Sequence, residues 1–267
     1  MRIATWNVNS VKARLPRLLA WLGSAAPDVL CLQELKVATA DFPSQALAEL
    51  GYASAAYGTG RWNGVAVISR VGLDEVTCGL QDEPGFAPSD SLLAIQEPRA
   101  IGATCGGVRL WSLYVPNGRS LDHAHYDYKL RWLDALAHTA TAEMAAAPER
   151  RFALLGDFNI APTDADVWDI TEFAQATHVS AAERDKLRQL AATGLSEVPA
   201  RALKYDTAFT YWDYRALGFA KNRGMRIDLV YGNPALCADV TDAYVDREAR
   251  KGQGASDHAP VVLDLAL

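Results

Sequence analysis

The most informative stretch of this chain runs from residue 152 to residue 159 and reads Phe152-Ala153-Leu154-Leu155-Gly156-Asp157-Phe158-Asn159. Its apolar first half predicts a buried β-strand that ends where the polar residues begin. In extended backbone Asp157 and Asn159 point to the same side, because one residue separates them. A carboxylate and an amide placed in this way can bind a divalent cation, position a water and stabilise an anionic oxygen. Both residue types also favour turns for local reasons, so this stretch alone leaves two interpretations open.

Length and composition predict one globular domain over residues 1–267. Half of the residues are hydrophobic, which suffices for a large core, and no linker or repeat divides the chain. No apolar run is long enough to cross a bilayer, so no membrane association is expected. Without an apolar secretion signal, and with four scattered cysteines that form no C-x-x-C pair, we expect a cytoplasmic protein with reduced thiols. The formal charge of −6 argues against indiscriminate binding of nucleic acid but permits a local basic surface.

Short apolar and alternating runs predict many strands and few helices. Strands are expected near 2–8, 28–33, 52–57, 64–69, 92–96, 100–105, 108–115, 152–156, 227–231, 239–245 and 260–266. Helices are expected at 15–24, with Pro16 in the first turn, and at 44–50, 121–146 and 180–193. In a long single domain this balance predicts an α/β protein, built as a four-layer sandwich of two packed β-sheets flanked by helices.

Several further polar residues fall at or within predicted strands. Asn7 ends the first strand, Glu34 follows the second, and Asp257 and His258 precede the last. Each could simply be a turn former or a solvated side chain, yet their types suit a hard cation and a group that titrates near neutrality. Asp228 lies inside an otherwise apolar strand, where a carboxylate without a partner is costly. We therefore expect a cation or a histidine to meet it.

In this order along the chain, these residues resemble a known family, the exonuclease III type of abasic-site DNA endonucleases. This type belongs to the endonuclease/exonuclease/phosphatase superfamily, together with deoxyribonuclease I. Seven stretches carry the resemblance: Thr5-Trp6-Asn7-Val8-Asn9-Ser10, Leu32-Gln33-Glu34-Leu35-Lys36, Asn63-Gly64-Val65-Ala66, Tyr114-Val115-Pro116-Asn117-Gly118, Gly156-Asp157-Phe158-Asn159, Asn222-Arg223-Gly224-Met225-Arg226-Ile227-Asp228 and Ser256-Asp257-His258. The resemblance spans nearly the whole chain and implies a deoxyribonuclease I-like fold.

The resemblance also implies a metal site. Glu34 would hold Mg²⁺ or Mn²⁺ with the help of Asn7, and Asp257 would join if the metal moves or a second one binds. Asp157 and Asn159 complete the candidate ligands. A sparse ligand set is no objection, because magnesium keeps several waters in its coordination shell.

The resemblance assigns catalytic roles as well. Asp157 would orient or deprotonate the attacking water, and Asn159 would hold that water or a phosphoryl oxygen. His258 would contact the scissile phosphate, with Asp228 orienting its imidazole. Tyr114 would stabilise the transition state or the leaving oxygen. Whether the base is Asp157, His258 or a metal-bound hydroxide stays open.

A DNA-binding surface is expected between residues 209 and 227. From Arg215 to Arg226 the chain has four basic residues and no acidic one, and aromatic residues precede them. Such a loop suits contacts to backbone phosphates, although a solvated loop anchored by core aromatics is the alternative. By resemblance, a pocket for a base-free sugar would have apolar walls. The candidate DNA-binding residues are Asn117, Phe209, Trp212, Arg223, Met225 and Ile227.

The function that the resemblance implies is DNA repair by hydrolysis of the phosphodiester 5′ to an abasic site in duplex DNA. We also expect 3′→5′ exonuclease and 3′-end-cleaning activity, although five acids and no Lys or Arg between Asp164 and Glu183 argue against strong processive degradation. The partner is double-stranded DNA with abasic sites or blocked 3′ ends, and the protein is expected to act as a monomer. The alternatives are a general DNA nuclease, a phosphatase of the same superfamily, and a catalytically silent nucleic-acid-binding relative.

Overall fold

The computed structural model describes residues 1–87 and 93–267. Within these ranges the chain forms thirteen strands and five helices. The strands are β1 Arg2–Asn7, β2 Val29–Gln33, β3 Ala53–Tyr57, β4 Val65–Ser69, β5 Asp74–Cys78, β6 Ala100–Cys105, β7 Val108–Tyr114, β8 Arg151–Asp157, β9 Ser196–Glu197, β10 Arg201–Ala202, β11 Asp228–Gly232, β12 Val240–Val245 and β13 Val261–Leu265. The helices are α1 Val11–Ala25, α2 Ser44–Ala48, α3 Ala124–Ala146, α4 Ala181–Ala192 and α5 Pro234–Cys237.

The strands form two mixed sheets. The seven-stranded sheet has the order β10-β12-β13-β1-β2-β4-β3, and β1 pairs parallel with β2 and antiparallel with β13. The six-stranded sheet has the order β5-β6-β7-β8-β11-β9, and β7 and β8 pair parallel. Because parallel neighbours end at the same edge of a sheet, the loops after β1 and β2 lie together, and so do those after β7 and β8.

Alternating side chains divide the core into layers. In β1, Ile3 packs between the two sheets with Leu155 of β8, whereas Trp6 faces the other way and packs with Leu18 of α1. On the outer face of the second sheet, Trp132 of α3 packs against β8 and α4. The order is therefore helix, sheet, sheet, helix, which confirms the predicted α/β four-layer sandwich. No helix within the described ranges is long and apolar enough to span a membrane.

Helix α1 begins earlier than expected. It starts at Val11 rather than at residue 15, because the Ser10 hydroxyl accepts a hydrogen bond from Ala13 N at 3.4 Å and caps the helix. Pro16 therefore lies in the second turn, and the expectation that it falls in the first turn is wrong.

Helix α3 begins later than expected, at Ala124. His123 caps it by accepting a hydrogen bond from His125 N at 2.9 Å through its Nδ1. Leu121 consequently lies outside the helix, with 38% of its surface exposed.

The predicted strand at 92–96 is not found where the structure describes it. Residues 93–96 form only an isolated bridge, in which Ile95 pairs with Phe86, and residue 92 lies outside the described ranges. Conversely, the edge strand β5 has no counterpart among the expected strands. All five of its residues are exposed, so it lacks the apolar alternation that marks a buried strand.

Candidate active site

Three polar side chains link the two sheets where β1, β2 and β8 end. Asn7 is the last residue of β1, Glu34 directly follows β2, and Asp157 is the last residue of β8. Asn7 Nδ2 donates hydrogen bonds to Glu34 Oε1 and to Asp157 Oδ2, both at 2.9 Å. One buried amide thus holds two carboxylates from opposite sheets at the same point.

The loop that carries Glu34 has an unusual backbone. Glu34 and Lys36 both have a φ of +53°, in the left-handed region that non-glycine residues seldom adopt. Lys36 Nζ lies 2.8 Å from Glu34 Oε2. Burial opposes the negative charge on Glu34, but Lys36 and Asn7 outweigh burial and lower the pKa of Glu34. The loop therefore presents an anionic carboxylate in a conformation typical of functional sites.

A buried histidine lies between two aspartates. His258 Nδ1 is 2.8 Å from Asp228 Oδ2, and its Nε2 is 3.8 Å from Asp157 Oδ2. Asp228 and Asp157 are directly paired in the antiparallel register of β11 and β8, which explains why one imidazole reaches both. Burial opposes a charge on His258, but the carboxylates of Asp228 and Asp157 outweigh burial and raise its pKa. The histidine is therefore a cation at neutral pH.

Asp157 is the most buried carboxylate of the cluster, with 1% of its surface exposed. Burial raises the pKa of Asp157 above its ordinary range, and the charges of Asp228 and Glu34 add to this effect while His258 opposes it. Its Oδ1 accepts a hydrogen bond from Asn159 N at 2.9 Å. A carboxylate with a raised pKa is better suited to accept a proton near neutrality.

Hydrogen bonds hold the side-chain amide of Asn159 at both of its polar atoms. Its Nδ2 donates to Val115 O at 2.9 Å, and its Oδ1 accepts from Asn117 Nδ2 at 3.2 Å. Asn159 has a φ of +51°, which turns the chain sharply after β8.

Tyr114, the last residue of β7, lies opposite Asp157 in the parallel register. Burial, reinforced by the negative charges of Glu34 and Asp157, raises the pKa of Tyr114 well above its usual range. The phenol therefore keeps its proton at neutral pH and can donate a hydrogen bond to an anionic oxygen.

The donor set fits a hard divalent cation. Glu34, Asp157 and His258 each place one potential ligand atom within 4.8 Å of the others. His258 is protonated and hydrogen-bonded to Asp228, and a protonated imidazole has no lone pair to offer. The carboxylates of Glu34 and Asp157 are therefore the candidate ligands in this group, and Mg²⁺ needs few protein carboxylates. Asp257 lies on the same cavity, and its Oδ1 accepts from Asn9 Nδ2 at 3.0 Å.

These residues surround a polar cavity of about 200 Å³. The residues that line it are Glu34, Tyr114, Asn117, Asp157, Asn159, His178, Tyr211, Met225, Ile227, Asp257 and His258. The structure thus brings together almost all the predicted catalytic and metal-binding residues, with Asn7 and Asp228 directly behind them.

Phe209 and Trp212 do not reach the cavity. Both belong to the apolar core between the sheets, and Trp212 is only 1% exposed. The prediction that these two residues form the apolar walls is therefore wrong, because their rings are packed in the core. Tyr211 takes that place, with its ring centroid 4.9 Å from the His258 ring, and Met225 and Ile227 are the apolar walls.

Only part of the predicted basic loop presents free charge. Arg223 is exposed and stacks at 4.5 Å on the Trp168 ring. Arg226, in contrast, is paired with Asp166 at 2.6 Å and also contacts Glu197. Arg215 pairs with Asp213 at 2.9 Å. Two of the four predicted cations are thus neutralised by carboxylates that lie outside the stretch from Arg215 to Arg226.

Sequence reasoning missed two residues next to the site. His178 lines the cavity, and its Nε2 is 3.1 Å from Asn117 Nδ2 and 3.3 Å from Asn159 Oδ1. Lys129 is fully buried behind them and donates to Asn159 O at 2.8 Å. His178 lies in the irregular stretch before α4, where no periodic pattern marks it, and Lys129 looks like an ordinary helix lysine.

Fold and site together define a hydrolase whose acids, amides and histidine converge at the strand ends of two packed sheets. The chain belongs to the Endonuclease/Exonuclease/phosphatase family, whose model matches residues 4–258.

Similar proteins narrow the class. The chain is 27% identical to exodeoxyribonuclease III of Haemophilus influenzae, over 98% of each chain. Among solved structures, it is 36% identical to the 3′ phosphatase NExo from Neisseria, bound to a product DNA hairpin, over all of both chains with a TM-score of 0.91. It is 30% identical to an AP endonuclease from Archaeoglobus fulgidus, over all of both chains with a TM-score of 0.89. These findings confirm the predicted exonuclease III type and a hydrolytic DNA-repair nuclease.

Proposed function

We propose that the protein cleaves the bond between phosphorus and the 3′ oxygen of DNA, both 5′ to abasic sites and at blocked 3′ ends. Both reactions leave a 3′-hydroxyl and need the same attack by water on phosphorus. The observation that carries the proposal is the convergence of Asp157, Glu34 and His258 around one cavity. We further propose that the protein is a cytoplasmic monomer.

The cavity residues divide the reaction among them. When bound at Glu34, Mg²⁺ or Mn²⁺ would polarise the phosphate and offset its charge, which leaves Asp157 free to act as the base. Asp157 accepts a proton from the attacking water, which Asn159 Oδ1 orients. His258, held as a cation by Asp228, binds a non-bridging phosphate oxygen.

Tyr114 serves the leaving side of the phosphate. Its phenol stays protonated, so it stabilises the 3′ oxygen or the phosphate as negative charge develops there. Asn7 keeps the two carboxylates in place but contacts no substrate. Asn117 orients Asn159 through their 3.2 Å hydrogen bond.

Arg223 and the cavity walls contribute to binding. Arg223 is exposed on the loop before β11, where it can contact a backbone phosphate. Met225 and Ile227 accept the carbon atoms of a sugar and leave no polar partner for a nucleobase. Phe209 and Trp212 support this region from the core.

A second candidate, specialisation for blocked 3′ ends, is favoured by His178. Its imidazole occupies part of the small cavity between Asn117 and Asn159. Burial and the nearby Lys129 lower the pKa of His178 to about 4, so the ring stays neutral at physiological pH. A ring in this place leaves room for a terminal phosphate more readily than for an internal sugar with DNA on both sides.

Matched duplexes test both candidates. Labelled duplexes with an internal abasic analogue, a 3′-phosphate or no damage are incubated in Mg²⁺ and in EDTA. We expect cleavage of the first two in Mg²⁺ only. His178→Ala should raise the rate on the abasic duplex relative to the 3′-phosphate duplex if the second candidate holds. Equal activity in EDTA and Mg²⁺ would refute the proposed mechanism.

A further inference from the structure

The polar cavity around Asp157 and Glu34 is the proposed catalytic cavity. A second cavity shares two side chains with it. It has a volume of about 380 Å³, and Tyr114 and Asn117 line both cavities. This volume falls within the range of sites that hold small organic ligands. Because the two cavities adjoin, the second one lies within reach of the nucleotides next to a phosphate bound at the catalytic carboxylates.

Exposed and stacked aromatic rings mark this cavity. Trp62 is 69% exposed, with the Arg61 guanidinium 5.8 Å from its ring centroid. Phe86 lines the same cavity and has the Arg119 guanidinium 5.5 Å from its ring centroid. Aromatic faces flanked by guanidinium groups are the usual platforms for unpaired nucleobases.

The net charge of this second cavity favours binding of a phosphate group. Glu97 is neutralised by Arg99 at 2.6 Å. Burial, with the charge of Arg99, lowers the pKa of His125 to about 4, so this ring is neutral at physiological pH. Arg119 lies 3.2 Å from His123, and none of the carboxylates in the described ranges pairs with it. The positive charge of Arg119 therefore remains in the lining of the cavity, and Arg61 adds a second positive charge next to Trp62.

Backbone hydrogen bonds hold the Trp62 segment next to the catalytic loop. Lys36 N donates to Asn63 O at 2.9 Å, and Leu35 N donates to Gly64 O at 3.1 Å. Gly64 N in turn donates to Pro98 O at 3.0 Å. These hydrogen bonds fix the position of the Trp62 segment relative to Glu34 and the catalytic cavity.

We propose that this cavity binds an unpaired nucleotide of the substrate strand, with its base stacked on Trp62 and its phosphate at Arg119. The inference rests on the proposed function, since it adds a substrate class to the same site. DNA with an unpaired nucleotide beside the cleaved bond, such as a frayed or overhanging 3′ end, is then bound more tightly than fully paired DNA.

The test compares two DNA hairpins, one blunt and one with a 3′ overhang of two thymidines. Binding is measured by fluorescence anisotropy in EDTA with the Asp157→Asn protein, so that no cleavage interferes. We expect the overhang to bind roughly tenfold more tightly, a size typical of stacking one base on an aromatic ring. Trp62→Ala should abolish this preference and Trp62→Phe should keep it. Tyr205→Ala, which removes an exposed aromatic that lines neither cavity, is the matched control.

Two results overturn the proposal: equal affinity of the parent protein for both hairpins, and a preference that survives in Trp62→Ala. Cleavage of the abasic and 3′-phosphate duplexes by the wild-type protein in Mg²⁺ is measured separately. If that cleavage is absent, the proposed function fails, while the ratio of the two affinities still decides whether the cavity binds an unpaired base.

Discussion

The buried ion pair behind the catalytic cavity offers the sharpest test of how the site is supported. Lys129 of α3 and Glu183 of α4 are both fully buried and contact each other. Lys129 Nζ also donates to Asn159 O at 2.8 Å and to Asn117 O at 3.3 Å. One ammonium group therefore joins two helices to the two loops that carry the cavity amides. We predict that Lys129→Met damages both stability and catalysis.

The size of the expected loss in the free energy of unfolding depends on the contacts that Glu183 keeps in the variant. Removing one partner of a buried ion pair costs about 3–5 kcal/mol, because the other charge stays buried. Glu183 retains hydrogen bonds from Ser180 N at 3.1 Å and from His178 N at 3.0 Å, so we expect the lower end, about 3 kcal/mol. Two backbone carbonyls also lose their donor. This is a large part of the total free energy of unfolding, which is about 5–15 kcal/mol for a typical domain.

Urea unfolding followed by tryptophan fluorescence measures the loss, and steady-state cleavage measures the effect on rate. The matched control is Lys186→Met, which breaks the partly exposed ion pair of α4 with Asp134 and should cost only about 0–1 kcal/mol. Adding Glu183→Gln to Lys129→Met should recover part of the stability, because no uncompensated charge is left. If Lys129→Met costs no more than Lys186→Met, the ion pair does not support the site.

Four further predictions concern the reaction and the pH dependence of stability. Removal of divalent metal by EDTA should abolish cleavage, and Mg²⁺ or Mn²⁺ should restore it; unchanged turnover would contradict the metal site. Asp157→Asn and His258→Ala should each lower kcat at least about 10²-fold, the scale of general acid–base groups. Asp157→Asn should change the melting temperature little, whereas His258→Ala should lower it, because Asp228 is left buried without its cation. In the double variant Asp228→Ala/His258→Ala, kcat should fall far less than the product of the two single decreases, because Asp228 acts through its 2.8 Å contact with His258. If the two decreases multiply, Asp228 does not act through His258. Burial raises the pKa of Asp166, but the hydrogen bond and charge of Arg226 outweigh burial, so the net effect is a lowered pKa. The ion pair therefore stabilises the fold fully above the ordinary carboxyl pKa, and this stabilisation is lost as the pH falls through the lowered pKa. Urea midpoints between about pH 5 and about pH 2 should accordingly fall less for Asp166→Asn than for the wild type; parallel curves would contradict this.

The sequence by itself determined most of the strands and the position of the candidate catalytic residues. Buried strands have continuous or alternating apolar runs, and their ends show as an abrupt change to polar residues, as at Asn7, Glu34 and Asp157. Because the ends of neighbouring parallel strands lie at one edge of a sheet, residues far apart in the chain can be grouped before their contacts are known. The exposed edge strand β5 escaped prediction because no apolar face marks it.

Only the tertiary structure decided which aromatic residues face the cavity and what supports the site. The segment around Tyr211 forms isolated bridges rather than a regular strand, so alternation along the chain could not separate Tyr211 from the buried Phe209 and Trp212. His178 and Lys129 gain their roles from contacts with residues 12 to 61 positions away in the chain. Burial and charge at such contacts depend on long-range packing, and no local pattern of residues encodes them.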